Sequence, residues 1–104
     1  MKITQIKCVA RPIRSRIRNA VIDFSKMDCS LVAIYTDQVR QGKKVVGYGF
    51  NSNGRYSSCS LLQERFIPRL LAADADSLLD AQSIIDPFKV WNVLMQNEKP
   101  GGHG

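Results

Sequence analysis

The stretch VVGYGFNSNGR, Val45 to Arg55, decides the fold. Its first half reads as a strand, with Val46, Tyr48 and Phe50 on one face and Val45, Gly47 and Gly49 on the other. Its second half, Asn51 to Arg55, is a polar loop with an Asn-Gly turn pair. A strand therefore delivers two amides, a hydroxyl and a guanidinium to one place, as scaffolds do when they present a ligand-reading loop. The same residues also serve simply to turn the chain out of a strand.

Upstream, Met27 to Thr36 is the clearest strand, since Leu31, Ala33 and Tyr35 alternate with Val32, Ile34 and Thr36 and β-branched residues dominate. Asp37 to Lys44 supplies a polar turn containing Gly42, so the two strands pair as an antiparallel hairpin. Lys2 to Ile13 reads as a first strand, with imperfect alternation, and Pro12 marks it as an edge or as ending there. Between them, Arg14 to Lys26 is a long connection that mixes Ile17, Val21, Ile22 and Phe24 with Arg14, Arg16, Arg18 and Asn19. Loops of this length are often functional, and its apolar residues suggest that it covers something; an irregular extension of the strand is the alternative.

Downstream the period changes from 2 to 3.6. Ser57 or Ser58 caps a helix on which Leu62, Phe66 and Leu70 form one stripe, and Pro68 kinks or shortens it. Asp74-Ala75-Asp76 caps a short second helix with Leu78, Leu79 and Ala81. Asp86-Pro87 starts a third, with Val90, Trp91, Leu94 and Met95 as its buried face. The fold class is thus α+β, a three-stranded antiparallel meander followed by about three short helices.

The 104 residues suffice for one small domain, and no apolar run approaches the roughly 20 residues of a transmembrane helix. No signal-peptide pattern follows Met1-Lys2, so a cytoplasmic location is expected. Cys8, Cys29 and Cys59 are odd in number and widely spaced, and the one histidine is His103. That argues against both a zinc site and a disulfide framework, and makes Cys8 and Cys29 small apolar strand residues. Net charge is +6, with eleven Lys/Arg against three Asp in residues 1 to 55 and four Lys/Arg against six acids in the rest. Such a basic half suits nucleic acid, a small anion or an acidic partner. Tyr35, Tyr48, Phe50 and Phe66 sit at core-like periodic positions and do not interleave with the basic run, which argues against a stacking platform for nucleic acid.

Several stretches resemble a known family. Ile17 to Phe24, Val45 to Tyr56, Gln63-Glu64-Arg65-Phe66, and Val90-Trp91 with Glu98-Lys99-Pro100-Gly101-Gly102-His103-Gly104 are similar to the N-terminal capping domain of the enolase superfamily, mandelate racemase/muconate lactonizing branch. Within it they look most like the D-tartrate dehydratase group of acid-sugar dehydratases. The resemblance implies a capping domain, residues 1–97, over a TIM barrel, with residues 98–104 beginning the connection to it. Two loops, Arg14 to Phe24 and Asn51 to Tyr56, would close on a small hydroxy-dicarboxylate or sugar acid. It also implies substrate contact by Asn51 or Asn53 and by Lys99, with Arg18 a further candidate that holds the loop. An amide reads a hydroxyl, and a lysine neutralises a carboxylate. The family's Mg²⁺ ligands and its acid/base lysine and histidine lie in the barrel. The chain as given stops before that barrel, so no catalytic residue, metal ligand or cofactor is expected within it, and it is a lid of a lyase rather than an enzyme alone. The alternatives are a stand-alone basic binding module and a fragment that self-associates through its exposed apolar surface.

Overall fold

The computed structural model describes residues 1–51, 56 and 58–99. Three antiparallel strands, β1 (Ile3–Pro12), β2 (Asp28–Arg40) and β3 (Lys43–Phe50), form one sheet in the order β1-β2-β3. The α+β meander read from the sequence is therefore present. β1 is an edge strand and Pro12 is its last residue, where a missing N–H costs the ladder nothing. β2 and β3 run further toward each other than their apolar alternation suggests. Arg40 pairs with Lys43, and Gln41 and Gly42, at φ 52° and 75°, make a two-residue hairpin. Two positive φ angles are what such a tight turn requires, and its twist matches the strands. The register of β2 shifts between Tyr35 and Val39, where the Thr36 hydroxyl donates to the Val45 carbonyl at 2.8 Å.

Residues 58–72 are helical throughout, as α1 (Ser58–Leu61), a π-turn (Leu62–Phe66) and α2 (Ile67–Ala72). Pro68 has no N–H for the Glu64 carbonyl, and the wider turn directly before it admits the proline without breaking the segment. The second helix read from the sequence reduces to a 3₁₀ turn, Ala75–Leu78, because Asp74 accepts from the Asp76 N–H at 3.2 Å and tightens it. Ala81 lies beyond this turn. The helix α3 (Pro87–Leu94) starts as expected, with the Asp86 carboxylate accepting from the Phe88 N–H at 2.9 Å.

One face of the sheet carries Ile34, Val45 and Gly47 toward Leu70, Ile85, Pro87 and Val90, across an open apolar cleft of about 370 Å³. Only Leu70 and Leu78 are fully buried apolar side chains among the described residues. The other face is uncovered. The register sets Val9, Leu31 and Phe50 in one row and Lys7, Ala33 and Tyr48 in the next. Tyr48 is 81% exposed and Phe50 76%. This corrects the reading of those two aromatics as core residues: both faces of β3 are apolar enough for period 2, and the helices pack on the glycine side. Tyr35 and Phe66 are only half-buried, with Lys7 5.4 Å and Arg69 5.8 Å from their ring centres. Trp91, read as buried, is 61% exposed, because an eight-residue helix set against one side of the cleft buries Val90, Leu94 and Met95 only partly.

Cys8 and Cys59 are bonded to each other, with their Cα atoms 6.0 Å apart, which overturns the expectation of no disulfide. The sheet register places Cys8 on the face toward the helices, and the helical segment lays Cys59 over it. Cys29 stays a free thiol.

Candidate functional site

The connection from β1 to β2 is folded by its own side chains. The Asn19 amide oxygen accepts from the Val21 and Ile22 N–H groups, each at 2.8 Å, and the Asn19 N–H donates to the Ile22 carbonyl. The Ser15 hydroxyl accepts from the Ile17 N–H, and Arg18 and Asp23 face each other in an antiparallel bridge. Asn and Asp favour such local backbone contacts, so this stretch closes as a compact loop. Phe24 is half-buried, but Val21 is 90% exposed, and Ile17 is exposed as well. Arg16 and Arg18 line an open cleft of about 320 Å³ with Ser15, Asp23 and Ser25. Among the described residues neither guanidinium pairs with a carboxylate.

Asp23 holds the end of the loop. Its carboxylate accepts from the Ser25 hydroxyl at 2.6 Å and the Ser25 N–H at 3.0 Å. The hydroxyl bond first, then the backbone bond, keep its pKa below the usual carboxylate value. A depressed pKa stabilises above the unfolded-state value and is lost as pH falls through the folded one. The Ser25 amide resonance is therefore expected to stay constant from neutral pH down to the ordinary carboxylate range and to move only at more acidic pH. A transition at or above that range contradicts the clamp.

Asn51, at the end of β3, lies at the same end of the sheet. Its amide is in use: the oxygen accepts from the Ser30 N–H at 2.7 Å, and the nitrogen donates to the Ser58 hydroxyl at 3.1 Å. Its N–H donates to the Ser30 carbonyl, and the Cys29 thiol lies 3.4 Å from its carbonyl. Asn51 thus ties β2 to the first residue of α1. Ser30 itself is buried, with its hydroxyl oxygen unpartnered among the described residues. Asn53, the other amide expected to read substrate, lies outside the described residues, as does much of the Asn51 to Tyr56 loop.

Lys99 is exposed and follows a buried anchor that the sequence reading assigned no role. After α3 the chain turns through residues 95–97, with Asn97 at φ 60°, a left-handed conformation that asparagine tolerates. The next residue, Glu98, has a side chain only 1% exposed, and both its carboxylate oxygens accept from the Arg65 guanidinium. Arg69 lies 3.9 Å from the same carboxylate and donates to the Leu94 carbonyl. Two arginines from the helical segment thus fix where Lys99 leaves the domain. No local pattern could reveal this link, since Arg65 and Glu98 stand 33 residues apart. The Arg65 side chain is 41% exposed, so solvent screening discounts the pair. Glu98→Ala is expected to cost about 2 kcal/mol in urea unfolding, and a loss below about 0.5 kcal/mol contradicts the anchor.

Arg18 and Asn51 therefore gather at one end of the sheet, while Lys99 is placed through the helices. The acids do not gather. Asp74, Asp80 and Asp86 accept from backbone N–H groups near them, Asp37 accepts from the Lys2 N–H, and Glu98 is held by arginine. Among the described residues no three His, Cys, Asp or Glu side chains lie together to hold a metal ion. Among the described residues no helix is long and apolar enough to cross a membrane. No protein-family model matches the chain.

Proposed function

We propose that the chain is the capping domain of a Mg²⁺-dependent sugar-acid dehydratase of the D-tartrate dehydratase type, a lid and specificity element that acts in the cytoplasm over a separate catalytic barrel. One observation carries this reading: the domain leaves uncovered an apolar surface at the end of the sheet from which both candidate loops depart. Its accessible surface is 7767 Å², roughly 1900 Å² above that of a folded monomer of its mass. Its radius of gyration is 16.0 Å, where about 13 Å suits a compact chain of this length. Permanent interfaces bury surface on that scale. Ile17, Val21, Phe50 and Tyr48 would then meet the barrel mouth, and Arg18, Lys99 and Asn53 would face the acid.

In this reading Lys99 neutralises a substrate carboxylate and Asn53 reads a hydroxyl, while Asn51 and Glu98 hold the segments that carry them. The Mg²⁺ and the proton-transfer groups belong to the barrel. The chain joined to the barrel of a D-tartrate dehydratase is expected to release oxaloacetate from D-tartrate, and Lys99→Ala to lower kcat/KM about 10- to 100-fold, the worth of one charge-assisted hydrogen bond. An unchanged kcat/KM removes Lys99 from the site, and an inert fusion that is folded argues against the lid.

A second reading has its own observation. Tyr48 and Phe50 stand exposed on a face whose register also carries Lys7, in the row of Tyr48, and Arg11. Aromatics beside cations stack single-stranded nucleic acid. A salt-dependent shift of an oligothymidine strand that Tyr48→Ala abolishes supports this, and no shift at low salt sinks it.

A further inference from the structure

We propose that Cys8 and Cys59 form a reversible dithiol–disulfide switch that docks α1 on β1 when oxidised and releases it when reduced. The proposal stands apart from the capping reading. It rests on how few hydrogen bonds tie the start of the helical segment to the sheet, where α1 packs half-buried against β1 and β2 and the Arg65–Glu98 pair holds the segment only further along. Neither α1 nor the π-turn after it contains a buried residue. Beyond the disulfide, the hydrogen bonds that tie this stretch to the sheet and to the residue after β3, among the described residues, are Gln63 Nε2 to the Cys8 carbonyl, at 3.3 Å and exposed, and Asn51 Nδ2 to the Ser58 hydroxyl. The helical segment thus meets β1 at Cys8 twice, once through the bond and once through a contact that water can replace.

The pair is placed to exchange. Both cysteines are half-buried rather than sealed in a core, so a small thiol can approach. Cys29 falls on the opposite face of the sheet from Cys8, by the alternation of β2 against β1, and its thiol lies against the Asn51 carbonyl. It is therefore not a competing partner for either sulfur. A compartment that keeps thiols reduced leaves such a bond only as a transient or sensing one.

The chemistry closes with a small disulfide, for which glutathione disulfide serves. Either cysteine thiolate attacks one of its sulfurs, expels a glutathione thiolate and leaves a mixed disulfide. The second cysteine thiolate attacks the protein sulfur of that bond, closes Cys8–Cys59 and expels the other glutathione. The pair gives up two electrons and two protons, and one glutathione disulfide becomes two glutathione thiols.

The test is amide hydrogen exchange on the whole chain, poised in glutathione buffers from fully reducing to fully oxidising, with thiol trapping to count the bonded fraction. The expected result is complete interconversion in both directions. On reduction, the amides of Leu62 to Ile67, the first in the helical segment with backbone acceptors, should lose nearly all their protection, whereas those of Leu31 to Tyr35 in the central strand should keep protection equal to the lowered global stability. Two results overturn the proposal: a bond that glutathione neither forms nor opens, or helical amides that after reduction stay as protected as those of the central strand, which marks a static cross-link. Cys29→Ser is expected to switch like the wild type. Cys59→Ser is expected to behave as the reduced chain in every buffer; if it fails to fold, the reduced wild-type chain gives the same reading without a substitution.

Discussion

Reduction of the Cys8–Cys59 bond is expected to lower the free energy of unfolding by about 4 kcal/mol. The two cysteines are 51 residues apart, and the loop they close contains all of β2 and β3. Tethering its ends removes conformations from the unfolded chain, and the benefit grows slowly with loop length. Few other terms compete, because the sheet-to-helix interface holds an open cleft and only two sealed leucines among the described residues. For a domain of this size the melting midpoint should fall by about 15–30 °C. Circular dichroism melts with and without reductant, in a Cys29→Ser background to prevent thiol shuffling, measure it. A fall below about 4 °C contradicts the account.

Leu78→Ala is expected to cost about 3 kcal/mol. Leu78 sits at the end of the 3₁₀ turn, and its carbonyl accepts from the Asp86 N–H at 2.9 Å, so its truncation opens a void where the turn meets the start of α3. Leu70→Ala should cost a similar amount from the α2 side, whereas Leu71→Ala, exposed on the same helix, should cost less than about 1 kcal/mol. Urea titration tests the series. The account requires a lower midpoint with an unchanged slope; a Leu78 variant as stable as the wild type would place the core elsewhere.

The sheet was legible because period 2 in Leu31 to Thr36 and the hairpin signal at Gly42 act locally. The start of α3 was legible for the same reason, since Asp86-Pro87 carries its own cap. What the sequence could not choose was which sheet face would be covered. Val46, Tyr48 and Phe50 look as core-like as Ile34 and Val45, and only the placement of helices some 20 residues later decides between them. The disulfide was hidden for a related reason: Cys8 and Cys59 meet through a register, and spacing along the chain does not encode it. The site divides the same way. The stretches around Asn51 and Lys99 stood out by residue type, but the uses of Asn51 and of Glu98 depend on Ser30, Ser58, Arg65 and Arg69, which are distant in sequence and unremarkable in type. In the proposed reading Asn51, whose amide is engaged by Ser30 and Ser58, braces the loop that carries Asn53.

In the proposed reading the open apolar surface is where a catalytic barrel sits. Oxidative footprinting by hydroxyl radicals tests it most directly, comparing the isolated chain with the same chain fused to a D-tartrate dehydratase barrel. The account predicts that Val21, Tyr48 and Phe50 react readily in the isolated chain and become about tenfold less reactive in the fusion, as burial in an interface core requires. Equal reactivity of all three in a folded fusion would contradict it.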